Sequence, residues 1–359
     1  MAYPAQSPAR PLRVLIVDDS AFMRRAIERL LTAHPGVTVV GQAADGMEAV
    51  QKALQLRPDV ITMDVEMPRM DGVSAVAEIM QTVPTPIVMV STLTHEGTST
   101  AIRALEAGAV ECVGKPSGLS ADLVNVGEKL FEAVQRASQA RLTRRRPAAP
   151  APPVVRLPER PRLTGSQQPA KYAVVIGSST GGPPALTQVV PHLPAGLNAA
   201  VLVVQHMPPG FTGALARRLD GLSPLPVAEA QEGDLLLPGR VLIAPGDFHL
   251  IIGRDRRVRL DRGPTVHGVR PSVDVTLFSA AEVFGSAVSV AILTGMGRDG
   301  ADGAARVEAA GGQVFAQDEA TSVVYGMPRV TVERTKSARQ LPIDRIAAAL
   351  AASVPGRQA

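Results

Sequence analysis

Three polar residues stand just beyond apolar runs in the second half of this 359-residue chain: Ser179, His206 and Asp299. Ser179 lies in Gly177-Ser178-Ser179-Thr180-Gly181-Gly182, which fits G-x-S-x-G, a sharp turn that lifts a serine hydroxyl above a sheet edge. The apolar run Tyr172 to Ile176 before it reads as a buried strand, and Pro183-Pro184 after it suits the first turn of a helix. A helix N-terminus behind the serine favours developing negative charge. Acyl transfer at a serine needs a base to take its proton and a group to orient that base. His206 follows the run Val201 to Gln205, and Asp299 lies six residues beyond Leu293. The chain order Ser, His, Asp is not the Ser, Asp, His order common after such turns, but geometry rather than order defines a triad. Taken alone, the loop would read as a glycine-rich turn or a phosphate cradle, and His206 as a structural histidine. His192 lies between prolines and reads as a surface residue, His249 falls on a strand, and His267 sits in a loop before Gly268. Only His206 is placed at a strand end beside the serine loop.

A second set of groups occupies the first third of the chain. Asp18 and Asp19 end one apolar run, Asp64 ends another, Ser91 a third, and Lys115-Pro116 a fourth. Three carboxylates converging on one point repel unless a cation neutralises them, and hard oxygen ligands suit Mg²⁺. A lysine and a hydroxyl beside them would bind phosphoryl oxygens.

The elements that must position these groups alternate regularly. Strand patterns at 14–17, 37–40, 60–63, 87–90 and 110–113 are separated by helical patterns such as 22–31 and 74–80. Five βα units predict a parallel sheet with helices on both faces, whose sites lie beyond the strands' C-terminal ends. The second half repeats the alternation, with strands expected at 174–176, 201–204, 288–293 and 314–316 and helices at 211–219, 273–284 and 301–310. Segments 241–243 and 249–252 are expected to pair as a hairpin around Pro245-Gly246-Asp247. The fold class is therefore α/β, with two doubly wound, mostly parallel domains at 12–136 and 170–354. Between them, 137–169 is rich in proline and arginine with no periodic apolar face, and reads as a semi-extended tether.

Charge is unevenly spread. The net charge is +4, while eight arginines against Glu159 give residues 136–162 a charge of +7, which leaves −3 for the remainder. No folded face is strongly basic, which argues against a nucleic-acid-binding domain. The single cysteine, Cys112, excludes an internal disulfide and fits a reducing cytoplasm. No apolar run approaches the roughly 20 residues of a membrane span. Residues 1–11 lack the apolar core of a signal segment and read as a tail.

The strand-end set Asp18, Asp19, Asp64, Ser91 and Lys115 resembles that of a two-component response-regulator receiver, which is flavodoxin-like. The resemblance implies that Asp64 accepts a phosphoryl group, that Asp18, Asp19 and Asp64 hold Mg²⁺, and that Ser91 and Lys115 read the phosphate. Cys112 departs from it, standing where receivers often carry an aromatic switch residue; it reads as a small buried core residue. The second half resembles the catalytic domain of the CheB family of chemotaxis protein-glutamate methylesterases. The supports are Gly177–Gly182, Gln205–Thr212, Arg270–Val275, Leu293–Ala301 and Gln317–Pro328. The resemblance implies Ser179 as nucleophile, His206 as base and Asp299 as its orienter, with Thr180 and Met296 in the oxyanion and substrate loops. Ser178 stands where the family usually has alanine, and reads as a passive small residue.

The function so implied is a phosphorylation-regulated carboxyl-ester hydrolase. It would demethylate receptor glutamates with release of methanol, deamidate receptor glutamines, and need no cofactor for that chemistry. A chemotaxis histidine kinase would donate phosphoryl groups and methyl-accepting chemoreceptors would be the substrates; a monomeric cytoplasmic protein is expected. The rival readings are a regulator whose second domain only binds a partner, a DNA-binding output module, and the same hydrolase in a receptor pathway unrelated to swimming.

Overall fold

The computed structural model describes residues 10–92, 94–115, 120–142 and 168–356, and the chain divides into two compact units, 1–148 and 149–359. Most of the expected tether, 143–167, lies outside the described residues.

In the first unit, strands β1 (Leu12–Val17), β2 (Val37–Ala43), β3 (Val60–Asp64), β4 (Ile87–Ser91) and β5 (Glu111–Gly114) alternate with helices α1 (Ala21–Thr32), α2 (Gly46–Leu56), α3 (Gly72–Thr82), α4 (His95–Ala107) and α5 (Ser120–Ser138). All strand pairs are parallel, in the order β2-β1-β3-β4-β5. β3 and β4 are buried at every residue, as near-continuous apolar strands covered on both faces should be. Four helices begin at a capping side chain: Ser20, Asp45, Asp71 and Thr94 accept from the amides of Met23, Glu48, Ser74 and Gly97. α5 runs two residues past the expected domain end at Arg136, because Ala137 is buried and the Arg136 guanidinium bonds Glu111 (2.5 Å). Cys112 is buried in β5, and burial pushes its thiol well above the ordinary range.

The second unit contains β6 (Ala173–Ser178), α6 (Gly182–Val189), β7 (Ala200–Gln205), α7 (Phe211–Asp220), β8 (Val227–Glu229), β9 (Val241–Ile243), β10 (His249–Ile252), β11 (Val258–Asp261), α8 (Val273–Phe284), β12 (Val288–Ile292), α9 (Ala301–Ala309), β13 (Gln313–Gln317), α10 (Met327–Arg334), β14 (Arg339–Leu341) and α11 (Ile343–Ser353). Seven strands form a parallel sheet in the order β14-β13-β12-β6-β7-β9-β8. β6, β7 and β12 are wholly buried at its centre, where each apolar side chain contributes about 1.5–3 kcal/mol.

The expected pairing of 241–243 with 249–252 is incorrect. β9 instead joins the main sheet between β7 and β8, and β10 pairs antiparallel with β11. The Pro245-Gly246-Asp247 turn leads out of the sheet, and the hairpin reverses later, where Arg256 takes φ 57° and Gly253 N–H donates to Arg257 O (2.8 Å). Three apolar residues in β9 suit a central parallel strand better than one leg of an exposed ribbon.

Each sheet has a point from which the chain builds outward to opposite sides: between β1 and β3 in the first, between β12 and β6 in the second. Such switch points open a crevice beyond the carboxyl ends of the strands, and both sets of candidate residues lie there.

Candidate active site

Ser179 is the first residue after β6. The register Ser178↔Gln205 places it beside His206, the first residue after β7, and His206 N–H donates to Ser178 O (3.0 Å). β12 flanks β6 on the other side, with Ile292 opposite Gly177, and Asp299 lies in the loop that follows. The three residues therefore come from three adjacent strand ends. Ser179 is 7% exposed and Asp299 2%. Gly181, at φ 77°, turns the chain from the serine into α6, and Gly182 N–H donates to Ser179 O (2.7 Å).

His206 Nε2 lies 2.7 Å from Asp299 Oδ2. A carboxylate only accepts, so the imidazole hydrogen sits on Nε2 and the lone pair on Nδ1. Asp299 is itself held by the first turn of α8: Oδ1 accepts from Ser272 Oγ (2.7 Å) and Asp274 N–H (3.1 Å), and Oδ2 also accepts from Val273 N–H (2.6 Å). Burial alone would raise its pKa, but the bond and charge of His206, with Ser272 and Val273, hold it down at about 2. It stays ionised through the neutral pH range.

The loop from Thr294 to Gly300 closes over the serine. A side chain at Gly295 would come within 2.8 Å of Ser179 Cβ, so glycine there lets the Met296 backbone approach the serine. Thr294 Oγ1 donates to Thr180 O (2.9 Å) and Met327 N–H to Gly295 O (2.8 Å), which fix this approach.

In the first unit, ligand oxygens of Asp18, Asp19 and Asp64 lie within 4.8 Å of one another. Asp19 and Asp64 open on a cleft of about 220 Å³, lined also by Glu66, Ser91, Thr92 and Lys115, with Asp18 buried behind it. Lys115 Nζ is 2.6 Å from Asp64 Oδ2 and 3.0 Å from Asp18 Oδ2. Burial raises Asp64 to about 6 despite the bond and charge of Lys115, and Asp18 adds to the rise. Three hard carboxylate ligands around one point, with a single lysine to offset their charge, fit a divalent cation such as Mg²⁺. Ser91 lines the same cleft, with its hydroxyl turned onto Gly97 O (3.0 Å).

Residues 174–350 match the family model of the CheB methylesterase and residues 14–125 that of the response regulator receiver domain. The protein-glutamate methylesterase/protein-glutamine glutaminase of Symbiobacterium thermophilum is 49% identical over 353 residues, covering 96% of this chain and 98% of that one. The chain belongs to the CheB methylesterase family. The Thermotoga maritima protein of the same name is 46% identical over 342 residues, covering 94% of this chain and 97% of that one. A crystal structure of the Thermotoga maritima CheB methylesterase catalytic domain is 47% identical, covering 51% of this chain and 98% of that chain, with a TM-score of 0.49.

Ser178, which reads from sequence as a passive small residue, is hydrogen-bonded beside the nucleophile. Its hydroxyl donates to Gln205 Oε1 (2.6 Å), and Gln205 Nε2 donates to Ser179 O (2.9 Å) and His206 O (3.0 Å). The pair ties the nucleophile loop to the histidine loop from beneath. Gln205, Ser272 and Asp274 were not singled out as site residues from sequence. A serine directly before the apolar helix 273–284 is an N-cap signal, but nothing in the sequence says that Asp299, 27 residues on, would share that cap. Of the other histidines, His192 caps back onto Gln188 O (2.9 Å), and buried His249 bonds Pro264 O (3.0 Å) and Ser272 N–H (3.2 Å). Among the described residues, no helix is long and apolar enough to cross a membrane.

Proposed function

We propose that this protein is a phosphorylation-controlled esterase that removes methyl groups from glutamate γ-methyl esters of chemoreceptors and deamidates receptor glutamines. One observation carries the reading: a carboxylate held by three donors from α8 bonds the imidazole that stands next to the serine. His206 Nδ1 takes the Ser179 proton as Oγ attacks the ester carbonyl. The Met296 amide and the Thr180 loop receive the oxyanion. His206 then gives the proton to the departing methanol, or to ammonia from a glutamine, and the same imidazole activates the water that releases glutamate. Asp299 orients the ring and stabilises the imidazolium without taking a proton. The test uses the full chain and a helical receptor peptide carrying one glutamate methyl ester. Methanol release with conversion of the ester to the acid supports the reading, and an unchanged peptide refutes it.

Asp64 accepts a phosphoryl group from a histidine kinase. Asp18, Asp19 and Asp64 would hold Mg²⁺, which neutralises charge during phosphoryl transfer when bound. Lys115, and Ser91 after its hydroxyl leaves Gly97 O, bind the phosphoryl oxygens. The receiver residues have no part in the ester chemistry, so control acts on access to Ser179. A chain beginning near Gln168 is then more active than the unphosphorylated full chain on a receptor. Equal activity of the two would sink the reading that control acts on access to Ser179.

A further inference from the structure

Behind the triad lies a second histidine–carboxylate pair. Asp274 is 1% exposed; its Oδ1 accepts from Gly303 N–H (2.7 Å) and its Oδ2 faces His267 Nε2 (3.1 Å). His267 Nδ1 faces Arg298 Nε (3.4 Å). Guanidinium only donates, so Nδ1 of His267 accepts and its Nε2–H donates to Asp274. Arg298 immediately precedes Asp299, while the Asp274 amide donates to Asp299 Oδ1 (3.1 Å). The contacts close a ring: Arg298, His267, Asp274, Asp299. The ring joins the loop before α8, the start of α8 and the loop after β12.

We propose that His267 and Asp274 are positioning residues for the ester hydrolysis, tying the start of α8 to the loops around it so that Asp299 stays against His206. The inference rests on the reading of Ser179, His206 and Asp299 as a triad. Its physical ground is the closeness of two buried carboxylates, whose ligand oxygens lie within 4.8 Å together with a His267 nitrogen. Two such charges are tolerated only when each is well supplied with donors. Asp299 has the α8 cap and His206; Asp274 has Gly303 and His267. The balance is unequal: burial and the Asp299 charge raise Asp274 to about 6, with Asp302 adding to the rise and Gly303 and His267 opposing it. The other charges nearby are Arg298, behind His267, and Arg334, 3.5 Å from Asp302. The Asp274 carboxylate is therefore held against its own burial by the Gly303 amide and the His267 Nε2–H, and those two bonds tie the start of α8 to α9 and to the loop before α8.

The test measures kcat and KM of the full chain on the methyl-ester peptide, for wild type, Asp274→Asn, His267→Ala and His267→Gln. Asp274→Asn, which leaves one oxygen to accept where two accept now, should lower kcat several-fold with little change in KM. His267→Ala should lower kcat several-fold with little change in KM, and His267→Gln, whose amide can donate to Asp274, should recover most of the loss. A wild-type kcat in Asp274→Asn overturns the proposal, as does equal loss in the alanine and glutamine variants. His267 is partly exposed, so its variants remain informative if Asp274→Asn does not fold. A wild-type protein without esterase activity would instead overturn the triad reading itself; an active wild type matched in kcat by its variants overturns only the positioning role.

Discussion

The two units place carboxylates at the same point of the same architecture and treat them in opposite ways. At the β1/β3 switch point, buried Asp18 and Asp64 share the one ammonium of Lys115, and Asp64 is raised to about 6. At the β12/β6 switch point, Asp299 receives three bonds from α8 besides that of His206 and is held at about 2. An under-supplied carboxylate is costly in the free protein and is relieved by a ligand. A saturated one gains nothing from a ligand and serves as a fixed part of the scaffold. The difference separates a binding site, where the protein leaves work for a cation and a phosphoryl group, from a catalytic orienter that must not move or titrate.

The largest expected effect breaks the saturated side. Asp299→Asn keeps the shape but not the charge, and presents an amide where two donors now converge. Turnover of the methyl-ester peptide should fall by about 10⁴. Near-normal turnover would remove Asp299 from the chemistry. On the under-supplied side, Asp64→Asn should abolish incorporation of phosphate from a small phosphodonor and weaken Mg²⁺ binding roughly tenfold or more by calorimetry. Unchanged Mg²⁺ affinity would mean that the three carboxylates do not form one site.

Acid stability sharpens the comparison further. A carboxyl lowered to about 2 in the fold, against an unfolded value near 3.9, contributes about 2 kcal/mol above pH 4 and loses it as pH falls from 4 to 2. The stability advantage of wild type over Asp299→Asn should therefore shrink across that window in pH-dependent thermal melts. Asp64 and Asp274, both raised to about 6, have the opposite sign: they cost stability at neutral pH, and protonation between about pH 6 and 4 relieves that cost. The smallest effect expected is that of Ser178→Ala, which deletes one buried hydrogen bond to Gln205. It should cost about 1–2 kcal/mol and change turnover only a few-fold.

The strand-end groups were legible because parallel strands advertise themselves as short apolar runs and their carboxyl ends follow directly. Asp64, Ser91, Ser179 and His206 fall where that rule puts them. The short strands β8 and β14, three residues each and only partly buried, carry too little pattern to be seen. The β9 pairing was misread because local turn signals at Pro245-Gly246-Asp247 say nothing about which strand a segment joins. The support of Asp299 by Ser272, Val273 and Asp274 was invisible for a related reason. It depends on a helix N-terminus meeting a loop 25 to 27 residues away, and no periodicity encodes that meeting.

The central claim is that Ser179, served by a base fixed through a saturated carboxylate, forms a covalent acyl intermediate. Rapid acid quench of the full chain with the methyl-ester peptide, followed by digestion and mass spectrometry, tests it directly. The account predicts a peptide adduct on Ser179 within the first turnover, accompanied by a burst of methanol, and no adduct in Ser179→Ala. An adduct on Ser178 or on any other side chain, or methanol release at the wild-type rate from Ser179→Ala, would contradict it.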